Sequence, residues 1–220
     1  MLMSSSNFEN DNLVQLIVDE QRAAVLKALS MHLPSITLND HQLCDIELLS
    51  TGAFSPLTGF MTRPDYEAVL DRMQLQDGTP WPIPICLGIS EKQQRVLEAG
   101  QSLAIRDPEG FLLAVMHIEE IWHINKDREA ETSLGTTDRF HPRVNYLYTK
   151  EGEYYAGGKL EVLSLPLHYD FRQLRLTPHE VRTLYQKLGW KRIVGFQTRH
   201  PVHRAQFEIM LQAMRQARAN

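Results

Sequence analysis

The last fifty or so residues predict a helix, a strand and a second helix, and this order constrains the fold more than any other feature. A capping-box pattern opens the first helix at Thr177 and Glu180, and Gly189 closes it. Residues 193–196 then form a short apolar run, and Pro201 fits the first turn of the helix that follows. Because a single strand needs a sheet to join, this segment predicts the opening of a larger α/β domain.

The junction between that strand and the second helix carries side chains suited to an oxyanion. Free N–H groups at a helix start carry partial positive charge, and Arg199, His203 and Arg204 lie close to this start in the sequence. The guanidinium of Arg199 can engage two oxygens of a tetrahedral anion at once. From spacing alone, a polar loop that merely caps a helix is an equally open interpretation of residues 197–203.

The region before residue 166 predicts mixed α and β structure. Helices are predicted at 22–29, 64–75 and 126–133, and strands at 83–89, 102–106, 111–124 and 160–165. The sequence from Asp107 to Gly110 predicts a type I turn that joins two of these strands in a hairpin. The pair Gly157 and Gly158 also indicates a turn.

Length and composition are those of a globular protein with room for one or two cores, at 220 residues and 43% hydrophobic content. The longest apolar run, 111–116, is far below the ~20 residues of a membrane helix, so a cytoplasmic protein is predicted. Cys44 and Cys86 lie far apart without a Cys-x-x-Cys pattern. They predict reduced, packed thiols rather than a disulfide or a metal site.

Charge is distributed unevenly along the chain. Residues 171–220 hold ten Lys or Arg and two Asp or Glu, a net charge of +8, whereas residues 1–170 hold thirteen and twenty-five, a net charge of −12. The positive segment indicates a site for small anions, or only a partial domain that lacks its acidic remainder. The acidic segment disfavours nucleic-acid binding, which needs positive surface.

Residues 197–206 resemble the Gln-Thr-Arg-Asn-Pro-x-His-Arg-Ala-His motif of the ATP sulfurylase (sulfate adenylyltransferase) family. Residues 47–61 resemble the N-terminal motif of the same family. Shorter matches follow in the family's order, at 135–138, 141–142, 155–158, 170–171 and 189–190. The resemblance therefore extends from about Leu33 to the C terminus.

This resemblance implies an α+β chain in two regions. Residues 1–167 are expected to form a PUA-like mixed β-barrel domain, and residues 168–220 the opening helix, strand and helix of an α/β nucleotidyltransferase (catalytic) domain. The family's later Gly-Arg-Asp-His-Ala-Gly motif, which holds the nucleotide, is absent from the sequence. A fragment, a truncated reading frame and a reduced paralogue all remain open.

The resemblance also implies the reaction of ATP with sulfate to give adenosine 5′-phosphosulfate and pyrophosphate. Mg²⁺ is expected to arrive with ATP, and no protein-bound metal is expected. The expected partners are the two substrates, with a second copy of the chain or a complete homologue as a possible subunit partner. The implied catalytic residues are Arg199, His203 and Gln206, and the implied substrate-binding residues are Gln197, Thr198, Arg199 and His200.

Three positions depart from the family pattern. His200 replaces the family's Asn, and Gln206 replaces its second histidine. A glutamine amide donates a hydrogen bond but carries no charge, so it stabilises developing negative charge less well. Arg143 stands where the family usually has glycine, and it would be strained there if that glycine has positive φ.

Two other functions remain open on the sequence. The chain could be a non-catalytic paralogue or partner subunit, with a complete homologue covering its unfinished sheet edge. It could also be an RNA-binding module, because PUA-like domains elsewhere bind RNA.

Overall fold

The computed structural model describes residues 13–219, which form two compact units. The larger unit spans Val14–His168 and contains a β-sheet with helices around it. The smaller unit includes residues 169–219 and contains two α-helices and the short 3-10 helix Arg172–Leu174. Within residues 13–219, none of the helices has the length and apolar character that crossing a membrane requires.

A six-stranded mixed sheet forms the centre of the larger unit. Its strands are β1 (Ser35–Thr37), β2 (Gly59–Phe60), β3 (Leu87–Ile89), β4 (Ser102–Arg106), β5 (Leu112–His123) and β6 (Tyr154–Val162). Their order is β1-β4-β5-β6-β2, and β3 also pairs with β6. Strand β1 runs parallel to β4, whereas the other pairs are antiparallel.

The central strands of this sheet are buried on both faces. Leu103, Ala104 and Ile105 are consecutive in β4 and fully buried. Because successive side chains of a strand point to opposite faces, apolar groups must cover the sheet on both sides. The predicted hairpin between β4 and β5 is confirmed: the N–H of Gly110 donates to the carbonyl of Asp107 at 3.0 Å. Gly110 has a φ of 90°, which favours glycine at this point of the turn.

Six helices accompany the sheet in the described part of the larger unit. They are α1 (Glu20–Leu29), α2 (Asp40–Ser50), α3 (Arg63–Arg72), α4 (Glu91–Gln94), α5 (Lys126–Leu134) and α6 (Pro142–Thr149). The helices predicted at 22–29, 64–75 and 126–133 are confirmed as α1, α3 and α5, with bounds shifted by at most three residues. Sequence analysis missed α2, α6 and the four-residue α4. All three carry start signals, namely a proline at the first position of α6 and capping boxes of Asn39 with Gln42 in α2 and of Ser90 with Gln93 in α4.

The glycine pair at 157–158 does not form a turn, and that prediction is wrong. Both residues lie inside β6, where neighbouring backbone approaches closely. A Cβ on Gly157 would lie 2.2 Å from the carbonyl oxygen of Met61, and one on Gly158 would lie 2.0 Å from that of His117. The two glycines therefore allow close packing of strands rather than a reversal of the chain.

Two predicted strands have different bounds in the structure. The strand expected at 83–89 is regularly paired only over β3, and Pro84 lacks the N–H that a ladder needs. The strand expected at 160–165 is the second half of β6, which begins at Tyr154. Beyond Val162, the N–H groups of Leu163 and Ser164 both donate to the carbonyl of Leu113, so regular pairing ends there.

In the smaller unit, the first predicted helix is confirmed as α7 (Pro178–Leu188). The Thr177 hydroxyl oxygen accepts from the N–H of Glu180, the Glu180 carboxylate accepts from the N–H of Thr177, and Gly189 ends the helix with a φ of 68°. The second predicted helix is α8 (Arg204–Ala217).

The strand predicted at 193–196 is wrong. These residues have no regular secondary structure, and the described part of the smaller unit contains no other strand with which they could pair. The start of α8 was also predicted too early. Pro201 lies before the helix, because His203 is extended, with φ −100° and ψ 169°, and forms the N-cap.

Apolar side chains of the smaller unit remain accessible. No residue in its described range of 169–219 is fully buried. Its large apolar side chains with more than a third of their surface exposed are Tyr169, Phe171, Leu174, Leu176, Leu184, Leu188, Trp190, Phe196, Val202, Phe207 and Ile209. Each of the two amphipathic helices thus has a face that is only half-buried, whereas a helix in a protein is normally stabilised by a buried face.

A buried carboxylate joins three elements of the larger unit. Glu129 of α5 is only 6% exposed and accepts from the hydroxyl of Tyr66 in α3 at 3.0 Å and from that of Tyr155 in β6 at 3.1 Å. The indole of Trp122 completes the cluster, with its ring 5.7 Å from Tyr66 and 5.9 Å from Tyr155. Burial raises the pKa of Glu129, and the two tyrosine hydroxyls oppose that rise by donating to its carboxylate.

Removal of this carboxylate is expected to destabilise the larger unit. Glu129→Ala leaves two buried hydroxyls without an acceptor, which costs about 2–4 kcal/mol in the free energy of unfolding. Glu129→Gln keeps an acceptor oxygen and is expected to cost less. The measurement is urea denaturation followed by tryptophan fluorescence. Glu131→Ala, an exposed position on the same helix, is the matched control, and an equal loss in both alanine variants would contradict the prediction.

Candidate functional site

The predicted site residues lie on the segment that connects α7 to α8, except Gln206, which is the third residue of α8. Two contacts organise its first part: the rings of Tyr185 and Trp190 stack at 5.7 Å, and the guanidinium of Arg192 donates to the carbonyl of Ala217 at 3.3 Å. The segment therefore returns from the end of α7 to the last turn of α8 before it approaches the start of α8. Residues 195–203 follow without regular structure.

Thr198 and His200 form a local turn within this segment. The hydroxyl oxygen of Thr198 accepts from the N–H of His200 at 3.2 Å, and the hydroxyl lies 3.2 Å from the carbonyl of His200 as a donor. Such side-chain bonds to the nearby backbone hold a loop in one conformation. The structure thus brings together two of the predicted substrate-binding residues, through the backbone of one of them.

Arg199 and Gln197 are exposed on the same segment. Within the described residues, the guanidinium of Arg199 has no hydrogen bond or ion pair. All five of its donors are therefore available to an incoming oxyanion. Among the described residues, no hydrogen bond joins the side chain of Arg199 to His203 or Gln206, the other two predicted catalytic residues.

His203 and Gln206 meet at the start of α8. The side-chain amide oxygen of Gln206 accepts from the backbone N–H of His203 at 3.1 Å. His203 is exposed, whereas Gln206 is half-buried. The two residues are joined through a side chain and a backbone group, not through their two side chains.

The arrangement as a whole is an open, cationic segment next to a helix start. One of the two acidic side chains between residues 171 and 220, Glu180, is bound to Thr177 at the start of α7. An exposed cationic segment next to a helix N-terminus can attract a multiply charged anion. Positioning such an anion requires further groups, because an exposed loop is fully hydrated.

A second polar cluster, which sequence analysis missed, lies in the larger unit around Arg143. This residue is the second of α6 and has ordinary helical geometry, so the predicted strain at this position is absent. Its guanidinium lies 5.0 Å from the ring centroid of Tyr146. The hydroxyl of Tyr146 donates to the side-chain oxygen of Asn39 at 3.1 Å, which connects α6 to the start of α2.

The positive charge of Arg143 reduces the free-energy cost of burying two carboxylates, those of Asp45 and Glu151. Burial raises the pKa of Asp45 to about 6 and that of Glu151 to about 7, and in both cases the charge of Arg143 counteracts the rise. Glu151 is packed against Gly88, where an added Cβ would lie 1.7 Å from its carboxylate oxygen. Lys126 donates to the carbonyl of Glu151 at 3.1 Å. The sequence around Arg143 gives no hint of this role, which only the acidic residues brought near it by the fold reveal.

Comparison with known proteins identifies relatives that match more than nine-tenths of the chain. A family model described as a PUA-like domain matches residues 6–165, and a model described as ATP-sulfurylase matches residues 172–220. Sulfate adenylyltransferases of Mycosarcoma maydis and Emericella nidulans are 40% and 43% identical to the chain, over 93% and 92% of its length. The chain spans about a third of the length of these relatives, 36% in both cases.

A solved structure shows the same similarity. A chain titled hexameric APS kinase from Thiobacillus denitrificans superposes with a TM-score of 0.76 at 38% sequence identity. The match covers 94% of the present chain and 37% of that chain.

Stability of the larger unit is expected to fall as pH rises from about 4 to about 7. The folded pKa values of Asp45 and Glu151 lie above their ordinary values of 3.8 and 4.5. The folded protein therefore keeps protons that the unfolded chain has released in this range, and this stabilisation is lost as pH passes the folded pKa values. Glu151→Gln is expected to reduce the pH dependence and to stabilise the protein at pH 8 by about 1–3 kcal/mol.

Thermal unfolding followed by circular dichroism between pH 5 and 8 measures this effect. Glu109→Gln, in the exposed turn between β4 and β5, controls for the loss of one surface charge. Parallel pH profiles for the wild type and Glu151→Gln would contradict the prediction.

Proposed function

Because the chain belongs to the ATP sulfurylase (sulfate adenylyltransferase) family, we propose that it takes part in the reaction of ATP with sulfate to give adenosine 5′-phosphosulfate and pyrophosphate. The observation that supports this most is the match of residues 172–220 to the ATP-sulfurylase model, since this segment contains residues 197–203, here called the cationic loop, and the start of α8. The similarity of the relatives over more than nine-tenths of the chain adds to it.

The proposed chemistry is a direct in-line displacement. A sulfate oxygen attacks the α-phosphorus of MgATP, and the bond from that phosphorus to the oxygen of pyrophosphate breaks, so no covalent enzyme intermediate forms. Mg²⁺ enters with the nucleotide as part of the substrate. The work of the protein in such a reaction is to position the two anions and to stabilise charge.

The residues of the cationic loop have separate proposed roles. Gln197 and Arg199 contact sulfate, and His203 faces the triphosphate. Thr198 and His200 complete the substrate-binding segment, in which the Thr198 hydroxyl already holds the backbone of His200. Gln206, the third residue that the resemblance implies, lies next to His203 at the start of α8 and acts with it.

We further propose that residues 1–167 are a PUA-like domain of mixed β-barrel type and that residues 168–220 are the beginning of the catalytic domain. A place in sulfate assimilation follows from the proposed reaction.

The proposed compartment is the cytoplasm, which suits the two free cysteines. Assembly into a homo-oligomer is proposed as well, because the similar solved chain is described as hexameric.

Sulfate-dependent release of pyrophosphate from MgATP, together with calorimetric binding of sulfate and MgATP, tests this proposal on the chain. Arg199→Ala is expected to weaken sulfate binding by at least about tenfold, because it removes charge-assisted hydrogen bonds. Arg215→Ala, which removes one positive charge from the last turn of α8, is the matched control. Absence of both turnover and saturable binding in the wild type, or equal effects of the two variants, would contradict it.

A second candidate function is that of a non-catalytic subunit that pairs with a complete family member. The exposed apolar side chains of α7 and α8 favour it, because such surfaces commonly mark contacts between proteins.

Light scattering coupled to size-exclusion chromatography distinguishes this second function. A partner subunit is expected to form a complex of defined stoichiometry with a complete sulfate adenylyltransferase, and Phe207→Ser on α8 is expected to weaken that complex. Val25→Ser, an equally exposed apolar position in the larger unit, serves as the control. A stable monomer that elutes separately from the complete protein excludes the partner role.

A further inference from the structure

The side chain of Gln206 is already engaged at the start of α8. His203 is the N-cap and Gln206 is the third residue of the helix. The amide oxygen of Gln206 accepts from the N–H of His203 at 3.1 Å, and the carbonyl of His203 accepts the first helical hydrogen bond, from the N–H of Phe207, at 3.0 Å. Both backbone groups of His203 are therefore fixed by the first turn of the helix.

The same device occurs at the start of α7. There the carboxylate of Glu180, also the third residue of its helix, accepts from the N–H of Thr177 at 2.7 Å. An acidic or amide side chain at this position satisfies a backbone donor that the helix itself leaves unpaired. Gln206 and Glu180 thus cap the two helices in the same way, Gln206 with a neutral amide and Glu180 with a charged carboxylate.

The chemistry of the amide limits what else Gln206 can do. Its oxygen is an acceptor, which cannot bind another acceptor such as a phosphate oxygen, and this oxygen is used by His203. Only the amide nitrogen remains as a donor. In contrast, the exposed His203 carries a ring that can face a ligand once its backbone is fixed.

We propose that Gln206 is a positioning residue that acts through the backbone N–H of His203. This inference rests on the proposed function, in which His203 faces the triphosphate of ATP. It assigns to the glutamine a role that needs no charge, and so it accounts for a neutral side chain at this position. Gln206 stabilises the start of α8 and does not serve as a second charged donor.

Nuclear magnetic resonance of the full chain tests the positioning directly. In Gln206→Ala, the amide proton of His203 is expected to show a larger temperature coefficient, and the ¹³Cα shifts of residues 204–208 are expected to move toward coil values. Gln206→Glu keeps an acceptor and is expected to preserve both signals. Gln212→Ala, an exposed glutamine of the same helix, is the control. An unchanged His203 amide in Gln206→Ala overturns the proposal.

Binding of MgATP gives the functional test. Gln206→Ala is expected to weaken binding by about threefold to tenfold, the range that loss of a helix cap gives. In a His203→Ala background the same substitution is expected to have no further effect, because the two residues act as one unit. Equal losses in both backgrounds would indicate direct contact by Gln206 and overturn the proposal. If the wild type binds no MgATP, the proposed function fails, while the resonance measurements still decide the capping role.

Discussion

Pairing along β5 is the interaction on which the larger unit depends. This twelve-residue strand pairs with β4 on one side and with β6 on the other, and it carries Trp122 to the cluster around Glu129. The close approach of β5 to β6 is possible because Gly158 has no side chain to collide with the carbonyl of His117. A change in the register of β5 would disturb its pairing with β4 and β6, the close approach at Gly158 and the position of Trp122 beside the Glu129 cluster.

Much of this fold could be predicted from local signals. The hairpin at Asp107–Gly110 and the helix behind Thr177 were predictable because the turn and capping residues act within a few positions of one another. The role of Gly157 and Gly158 was not, since it is set by Met61 and His117, which are distant in the sequence. The absence of a strand at 193–196 has the same origin: an apolar run forms a strand only where a neighbouring strand provides hydrogen-bonding partners.

The candidate site could also be predicted only in part. The resemblance of residues 197–206 to a family motif locates the site, but it assigns each residue a role from its position in the motif and not from its contacts. The contact between Gln206 and the N–H of His203 became visible only with the exact start of α8, three residues later than Pro201 suggests. Likewise, Arg143 looks like a strained substitution in the sequence. In the fold it faces the charges of Asp45 and Glu151, which lie near it only because α2 and the segment after α6 come together.

The exposure of Arg199 determines how strongly this loop can hold an anion. Two unit charges attract each other by about 1 kcal/mol at 4 Å in bulk water, but by about 4 kcal/mol where the effective dielectric constant is near 20. An uncovered guanidinium operates close to the first limit, and dissolved salt reduces its attraction further. A surface that excludes water from the loop would thus raise the attraction between Arg199 and an anion by up to about 3 kcal/mol, less the cost of dehydrating the two charges, without altering a side chain of the loop.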